Sequence, residues 1–343
     1  MTKALLSYDP HQALKDLSKL LDKQLEIDCL EFLLKIPSDF GSGLISGYTF
    51  SDGIGLFIFD CRLIKGLEIN FNTTEIPPLQ FNLLLEGNVN HTFSNKEIDY
   101  SIEPLQGTIT AAKSKMQNTF TLPAKEKVLL ATMVIERAEY LKKIDCLIDE
   151  MPKELQSVFN DKDATSTFMH IGNFSIASSE CVKTIIESKH KGLIRTTFTE
   201  GIALELLSCQ IGQFVDDLVP KGKRVMLRKY DLKKIMEAKE ILIDAIANPP
   251  TIRDLSIKVG LNQTKLKKGF KSVYNKPIKS WLRGKQLDYA KLLLLEDYLS
   301  IRQVAQKVGY ANQSHFSRRF KEKFGVLPKD FNNTLKTDLT AYL

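Results

Sequence analysis

One pattern occurs twice between residues 251 and 331, and this repeat limits the folds open to the chain. Residues 251–262 match residues 300–311 at an offset of 49, with five identities. After a one-residue insertion, residues 263–281 match residues 313–331 at an offset of 50. A repeat of this kind indicates two copies of one small structural unit, and neither copy is expected to bury its apolar side alone.

Each copy predicts two helices joined by a short turn. Thr251 and Ser300 stand where an N-cap belongs, directly before an apolar pattern with helical spacing. Gly260 and Gly309 end the first helices, because glycine adopts the left-handed conformation at a helix end at little cost. The buried positions of the second helices are Leu266 and Phe270 in one copy and Phe316 and Phe320 in the other. The pattern therefore predicts helix-turn-helix units at 251–273 and 300–324.

The outward positions of the second helices are basic or polar. In the first copy they are Thr264, Lys267, Lys268 and Lys271. In the second copy they are Gln313, Ser314, Ser317, Arg318 and Lys321. Such side chains donate to phosphates and to base edges, and no acidic residue occurs between residues 262 and 285 to repel a nucleic-acid backbone. These nine residues are the predicted DNA-binding residues. His315 lies on the same helix, and its side chain could either contact phosphate or pack beside Phe316.

Net charge divides the chain near residue 220. Residues 221–343 hold 27 basic and 11 acidic residues, a net charge of +16, whereas residues 1–220 have a net charge of −9. A basic third joined to an acidic body is typical of a nucleic-acid-binding module attached to a domain of another kind, although a solvated basic surface is an alternative. A proline, a glycine and three cations at 219–224 predict a linker, placed at 221–230.

Helices are also predicted on either side of the first copy. A helix at 231–247 ends before Pro249, because the residue before a proline is driven out of helical geometry. A second helix, at 278–296, joins the two copies and is about 28 Å long. Neighbouring major-groove segments on one face of DNA lie about 34 Å apart, so one chain could place both second helices in successive grooves.

Residues 1–220 are predicted to form a separate domain, β-rich at 24–135 and helical at 137–218. The apolar or alternating runs are 24–36, 53–72, 79–90, 98–102, 119–122 and 127–135. Short runs separated by turn signals predict a sandwich or a small barrel, and a barrel can enclose one small ligand. Helices are predicted at 10–23, 137–149, 152–160, 176–190 and 198–218. The apolar side of the last helix could pack on its own domain or form a homodimer contact.

The segment from Val308 to Pro328 resembles the signature of the AraC/XylS-type bacterial transcription regulators. It runs Val-Gly-Tyr-Ala-Asn-Gln-Ser-His-Phe-Ser-Arg-Arg-Phe-Lys-Glu-Lys-Phe-Gly-Val-Leu-Pro, and the likeness extends over about 231–335. By position in the motif, the family's base-reading places fall on Thr264, Lys267, Lys268, Gln313, Ser314 and Arg318. Two departures, Asn275-Lys-Pro277 and Gln286, leave the base specificity of the first unit less defined.

The resemblance implies an α+β protein in which a cupin-like barrel, followed by helices, precedes an all-α DNA-binding domain of seven helices. It implies double-stranded DNA and RNA polymerase as partners and a small-molecule effector for the N-terminal domain. Residues 77–93 are similar to members that respond to siderophores, which suggests a siderophore-like effector without identifying its binding residues.

No catalytic centre, cofactor or metal site is expected, and the chain is expected not to be an enzyme. The five histidines are scattered, and no P-loop, GxSxG or CxxC motif occurs. The five cysteines lie far apart in sequence, which indicates reduced thiols and a cytoplasmic location. No run of 18 apolar residues is present, so no membrane span is expected. Two alternatives are a DNA-binding module fused to an enzyme and an architectural DNA binder without a ligand.

Overall fold

A computed structural model describes most of the chain, which divides into two compact units, Met1–Pro220 and Lys221–Leu343. The described residues are 1–73, 75–93, 100–218, 229–274, 276–295 and 299–331. The predicted linker at 221–230 lies outside them, except for the two residues that begin a helix at Lys229. The predicted end of the DNA-binding domain at residue 335 also lies outside them.

The first unit contains thirteen strands among its described residues. They are β1 Thr2–Leu6, β2 Glu26–Asp28, β3 Glu31–Lys35, β4 Gly41–Thr49, β5 Ile54–Leu63, β6 Leu67–Phe71, β7 Leu79–Glu86, β8 Val89–Phe93, β9 Tyr100–Ile102, β10 Gln106–Ala111, β11 Asn118–Leu122, β12 Lys127–Ile135 and β13 Phe168–Phe174. Its helices are α1 Pro10–Leu20, α2 Arg137–Ile144, α3 Lys153–Asn160, α4 Ile176–Glu187 and α5 Gly192–Asp217, with a 3-10 helix at Asp145–Glu150.

An antiparallel sheet of eight strands is the middle layer of this unit. Its strand order is β13-β10-β7-β12-β5-β4-β3-β2. One face packs under α2 to α5, and the other face packs on α1 and on a second sheet of order β1-β6-β11-β8-β9. In the second sheet β1 runs parallel to β6, and the other pairs are antiparallel. The result is three layers: sheet, sheet and helices.

The sequence of β12 shows why the eight-stranded sheet is central. Leu129, Ala131 and Met133 lie in the core under the helices, whereas Leu130 and Val134 lie in the core between the sheets. Successive side chains of a strand point to opposite faces, so a strand covered on both sides needs apolar residues at nearly every position. The continuous apolar run of β12 meets this need.

The predicted β-rich domain is confirmed, but the predicted cupin-like barrel is not closed. Among the described residues, β13 and β2 lie at opposite edges of the larger sheet, and the two sheets are stacked. The second sheet covers the side of the larger sheet that faces away from the helices, so both apolar faces of the strands are buried without closure.

Three predicted runs proved to contain two strands each. The run 24–36 divides into β2 and β3 at Cys29, whose φ is 51°. The run 79–90 divides into β7 and β8 at Gly87, whose φ is 87°. The run 53–72 divides into β5 and β6. Left-handed backbone of this kind ends a strand and begins a tight turn.

Strand β4 was not among the predicted runs, because the Gly-Ser-Gly at its start, residues 41–43, was interpreted as a turn between strands. These glycines instead allow close pairing with β5, since a Cβ on Gly43 would overlap the carbonyl oxygen of Asp60. Strands β1, β10 and β13 were not predicted, and the helix predicted from 198 already begins at Gly192. The apolar side of that helix packs within its own unit: Leu206, Leu207 and Phe214 are buried under the larger sheet.

The second unit is all-α in its described residues. Its helices are α6 Lys229–Asp244, α7 Ile252–Lys258, α8 Gln263–Tyr274, α9 Ile278–Leu295, α10 Ile301–Lys307 and α11 Gln313–Phe324. One core joins α6, α7, α8 and the start of α9, and a second core joins the rest of α9 with α10 and α11. The expected pair of helix-turn-helix units is therefore confirmed. Helix α9 is about 27 Å long and connects the two cores.

In the described part of the chain, none of the helices combines the length and the apolar character needed to cross a bilayer.

Candidate nucleic-acid interface

An asparagine N-cap begins the second helix of each repeated unit. Asn262 Oδ1 accepts a hydrogen bond from the backbone N–H of Lys265 at 2.8 Å, and Asn312 Oδ1 accepts one from His315 at 3.0 Å. The side-chain oxygen of an N-cap satisfies an N–H group that has no partner within the helix. Neither cap was predicted, although an asparagine directly before the second helix of both copies was a usable signal.

The orientation of both helices is fixed by two fully buried side chains in each. Leu266 and Phe270 of α8 and Phe316 and Phe320 of α11 have no exposed surface. Each pair is four residues apart and so lies on one side of its helix, and Lys267, Lys268 and Arg318 between them are exposed.

The predicted DNA-binding residues occupy the opposite sides of these two helices. Those on α8 are all exposed: Thr264, Lys267, Lys268 and Lys271. On α11 the exposed ones are Gln313, Ser314, Arg318 and Lys321, and Ser317 is half-buried. Each helix thus brings its own set together on one face. We call these two sets the α8 face and the α11 face.

Neighbouring cations on the same helices are neutralised by carboxylates. Lys265 Nζ lies 2.7 Å from the carboxylate of the buried Asp231 in α6. Arg319 pairs with Glu322 at 2.7 Å, and Lys323 Nζ lies 2.6 Å from Asp288 Oδ1. These pairs tie α8 to α6 and α11 to α9, and they use the cations that lie beside the two faces.

The cations of the two faces themselves have no such partner. Within the described ranges, no carboxylate forms a salt bridge with Lys267, Lys268, Lys271, Arg318 or Lys321. Their charge is directed to solvent and is available to an anionic partner. The formal charge of +16 over residues 221–343 is thus concentrated, in part, on two helix faces with no acid attached.

The turns before the two helices are fixed by glycines. Gly260 has φ 68° and Gly309 has φ 86°, as expected for residues that end a helix in the left-handed region. A Cβ on Gly309 would also overlap the carbonyl oxygen of Ala247, which follows α6. The second turn is therefore held against the helix that precedes the first repeat.

Gln286 is one of the two departures from the resembled family, and the structure gives it a local role. Its Nε2 donates to the carbonyl oxygen of Ile246 at 2.9 Å, near the end of α6. Asn275, the first residue of the other departure, lies outside the described residues. His315 is exposed, and its ring lies 5.7 Å from that of Tyr310, so it is not part of the core.

Two cysteines that are distant in sequence meet in the first unit. All five cysteines are free, as expected, but the thiols of Cys181 in α4 and Cys209 in α5 are hydrogen-bonded to each other. This hydrogen bond lowers the pKa of Cys209 and raises that of Cys181. No group of His, Cys, Asp or Glu suited to a metal ion occurs within the described ranges.

The two units together define a regulatory protein with a helix-turn-helix output domain, and comparison with known families agrees. A family model described as a helix-turn-helix domain matches residues 255–334. A second model, described as the regulatory protein PchR N-terminal domain, matches residues 40–225, which is more than half of the chain. The chain belongs to this PchR-type family of regulatory proteins. The AraC-type resemblance and the similarity to siderophore-responsive members are confirmed at the level of the family.

Curated relatives match part of the chain. The HTH-type transcriptional regulator ExsA of Pseudomonas aeruginosa is 28% identical over 111 residues, 32% of this chain and 40% of the relative. The probable transcriptional regulator LumQ of Photobacterium leiognathi is 29% identical over 141 residues, 40% of this chain and 55% of the relative. The chain spans about half or less of the length of these relatives. A solved structure of ToxT from Vibrio cholerae aligns with 82% of this chain and 97% of its own at 16% identity, with a TM-score of 0.32.

Proposed function

We propose that this chain is a sequence-specific DNA-binding transcription regulator controlled by a small molecule that binds residues 1–220. In this proposal α8 and α11 are recognition helices that dock in successive major grooves. The observation that carries it is the pair of outward faces whose five cations form no salt bridge with a described carboxylate, while the cations beside them are neutralised. RNA polymerase as a partner follows from the family resemblance, and a homodimer is retained as the second of the two possibilities that the apolar helix at 198–218 offered; both are included on that basis alone.

The two faces suit different parts of DNA recognition. Lysines dominate the α8 face, and an ammonium group gains most from phosphates, whose contacts release counterions and supply affinity without sequence information. The α11 face carries Gln313 and Arg318, which can bond two atoms of one base edge: glutamine suits adenine and arginine suits guanine. The α8 face is therefore assigned more of the salt-dependent affinity, and the α11 face more of the specificity.

The assignment of Arg318 is tested with Arg318→Ala. We expect discrimination at one base pair of the operator to fall by about 1–3 kcal/mol, with a much smaller loss on random DNA. Fluorescence anisotropy of the full chain, on an operator identified by genome-wide binding and on its single-base variants, measures this. An equal loss on operator and random DNA would contradict the base-contacting role.

The assignment of Lys271 is tested with Lys271→Ala. Because a phosphate contact carries no sequence information, binding to operator and random DNA should weaken alike, and the slope of log K against log salt should fall by about one. The matched control is Lys142→Ala, an exposed helical lysine of the first unit. It should leave the slope unchanged, and the assignment fails if the two variants shift it equally.

A further inference from the structure

A network of buried polar side chains lies between the two sheets of the first unit. Asn118 of β11 donates to Gln80 Oε1 at 2.7 Å and to the Tyr8 hydroxyl at 3.4 Å, and its Oδ1 lies 2.6 Å from His91 Nε2. Gln80 and Asn82 of β7 also bond threonines of β10. We call this set the buried polar network: Tyr8, Gln80, Asn82, His91, Thr108, Thr110 and Asn118.

Several atoms of this network have no hydrogen-bond partner among the described residues. They are Gln80 Nε2, Asn82 Oδ1 and His91 Nδ1, on side chains with no exposed surface. Leaving such a group without a partner costs about 1–3 kcal/mol, and most buried polar atoms in proteins have one. A cluster of them in one place indicates a site whose hydrogen bonds are completed by another molecule.

The first residue of α2, Arg137, is a buried cation in the same unit. Only 2% of this residue is exposed, and its Nη1 donates to the carbonyl oxygen of Pro77 at 3.0 Å. Its Nε and Nη2 have no partner, and within the described ranges no carboxylate forms a salt bridge with it. Asp161 influences its pKa, but the Asp161 oxygens accept hydrogen bonds from Thr165 and Ser166. Burial lowers the pKa of Arg137.

Arg137 contacts the segment that leads into the network. Pro77, whose carbonyl accepts from Arg137, lies just before β7, the strand that carries Gln80 and Asn82. The guanidinium therefore lies beside the chain segment that enters β7, three to five residues before the side chains of Gln80 and Asn82.

We propose that Arg137 and the buried polar network form a binding site for a small hydroxylated oxyanion, a carboxylate or a phosphate. The Nε and Nη2 atoms of arginine form a planar fork that binds two oxygens of such a group, and Gln80 Nε2 supplies a further donor. His91 donates through Nε2 to Asn118, so its Nδ1 is an acceptor, as is Asn82 Oδ1. These two acceptors select a ligand that also carries hydroxyl or amino donors.

This inference deepens the proposed function, because it gives the regulator's small-molecule site a location and a ligand chemistry. The test needs no DNA, so its failure is distinguishable from failure of the DNA-binding proposal. Malate and glycerol 3-phosphate serve as hydroxylated carboxylate and phosphate probes. Succinate lacks the hydroxyl group, and sodium chloride at matched ionic strength controls for screening.

The measurement is the Tm of the full chain by far-UV circular dichroism. At about 10 mM, malate or glycerol 3-phosphate should raise the Tm of the first unit by about 2 °C or more relative to sodium chloride, and succinate should raise it less. Which of the two hydroxylated probes acts more strongly distinguishes a carboxylate from a phosphate ligand.

Two variants make the test specific. Arg137→Met should lose the response without lowering the Tm in the absence of probe, because it removes a buried charge that lacks a carboxylate partner. Gln80→Glu keeps the acceptor for Asn118 but places a negative charge where the oxyanion binds, and it should lose the response as well. Arg195→Met, which removes a partly buried arginine paired with Glu31, should lower the Tm and keep the response.

Two results would overturn the proposal. One is an equal rise in Tm for the wild type and for the folded variants at Arg137 and Gln80. The other is the absence of any rise beyond that of sodium chloride with all three organic probes, since then water alone completes the hydrogen bonds of the network.

Discussion

Replacing Arg195 by methionine is expected to lower the free energy of unfolding of the first unit by about 3–5 kcal/mol. Arg195 lies near the start of α5, and its Nη2 donates to Glu31 at 3.1 Å and to the Tyr48 hydroxyl at 3.0 Å. Its Nη1 donates to the carbonyl oxygen of Ile185 at 2.7 Å. One guanidinium therefore joins the end of α4, the start of α5 and the edge of the larger sheet.

The size of the effect follows from what remains after the substitution. Glu31 is 9% exposed, and without Arg195 its carboxylate would be buried beside the Tyr48 hydroxyl with no cation. Burial and the Glu31 charge already raise the pKa of Tyr48. Removing one partner of a buried pair leaves an uncompensated charge, which costs far more than the pair contributes.

The measurement is urea unfolding of the full chain, followed by two signals. The chain has one tryptophan, Trp281, which packs in the first core of the second unit. Its fluorescence should show an unchanged transition, while the far-UV circular dichroism of the first unit shifts to lower urea. Lys127→Met is the matched control, because Lys127 forms exposed salt bridges with Asp60 and Glu86 and should lose less than about 1 kcal/mol. Equal losses in the two variants would contradict the buried role of Arg195.

The C-terminal unit could be predicted from sequence because its signals are local. Helical spacing of four residues identified Leu266, Phe270, Phe316 and Phe320 as buried, and the structure buries all four completely. Such spacing decides which side of a helix faces outward, so it also decided which polar residues face solvent. Whether these residues contact DNA stays a prediction.

The N-terminal unit was less predictable because its strands pair over long distances. The order β13-β10-β7-β12 joins residues far apart in the chain, and no local pattern specifies which strands become neighbours. Strand β4 shows the difficulty: its Gly-Ser-Gly start has the composition of a turn, and only the close approach of β5 makes it a strand. In a sheet that is covered on both faces, the strands also lack the alternation of apolar and polar residues by which a strand is predicted from sequence.

The polar residues of the proposed binding site in the N-terminal unit could not be predicted from the sequence for the same reason. Gln80, His91 and Asn118 come from separate segments and meet only between the stacked sheets. Burial keeps the pKa of His91 low, at about 4. Only the missing partner of its Nδ1, which depends on the packed structure, suggests a further role.

The second large effect is expected at Gly309, which ends the first helix of the second repeat. Gly309→Ala should destabilise the second unit by about 3 kcal/mol or more, because two costs add. A non-glycine residue at a φ of 86° costs about 1–2 kcal/mol, and the new Cβ would overlap the carbonyl oxygen of Ala247. The backbone of the turn, or the end of α6, would have to move.

Gly325 separates these two costs, since it has nearly the same φ, 80°, but a Cβ there meets nothing within 4 Å. Gly325→Ala should therefore cost only about 1–2 kcal/mol, the penalty of the left-handed conformation alone. Urea unfolding of both variants, followed by circular dichroism and Trp281 fluorescence, measures the difference. A larger loss at Gly325 than at Gly309 would show that the contact between Gly309 and Ala247 does not position the second repeat. The expected order instead implies that α11 is held in place from both ends, at its leading turn by α6 and near its end by the bond of Lys323 to α9.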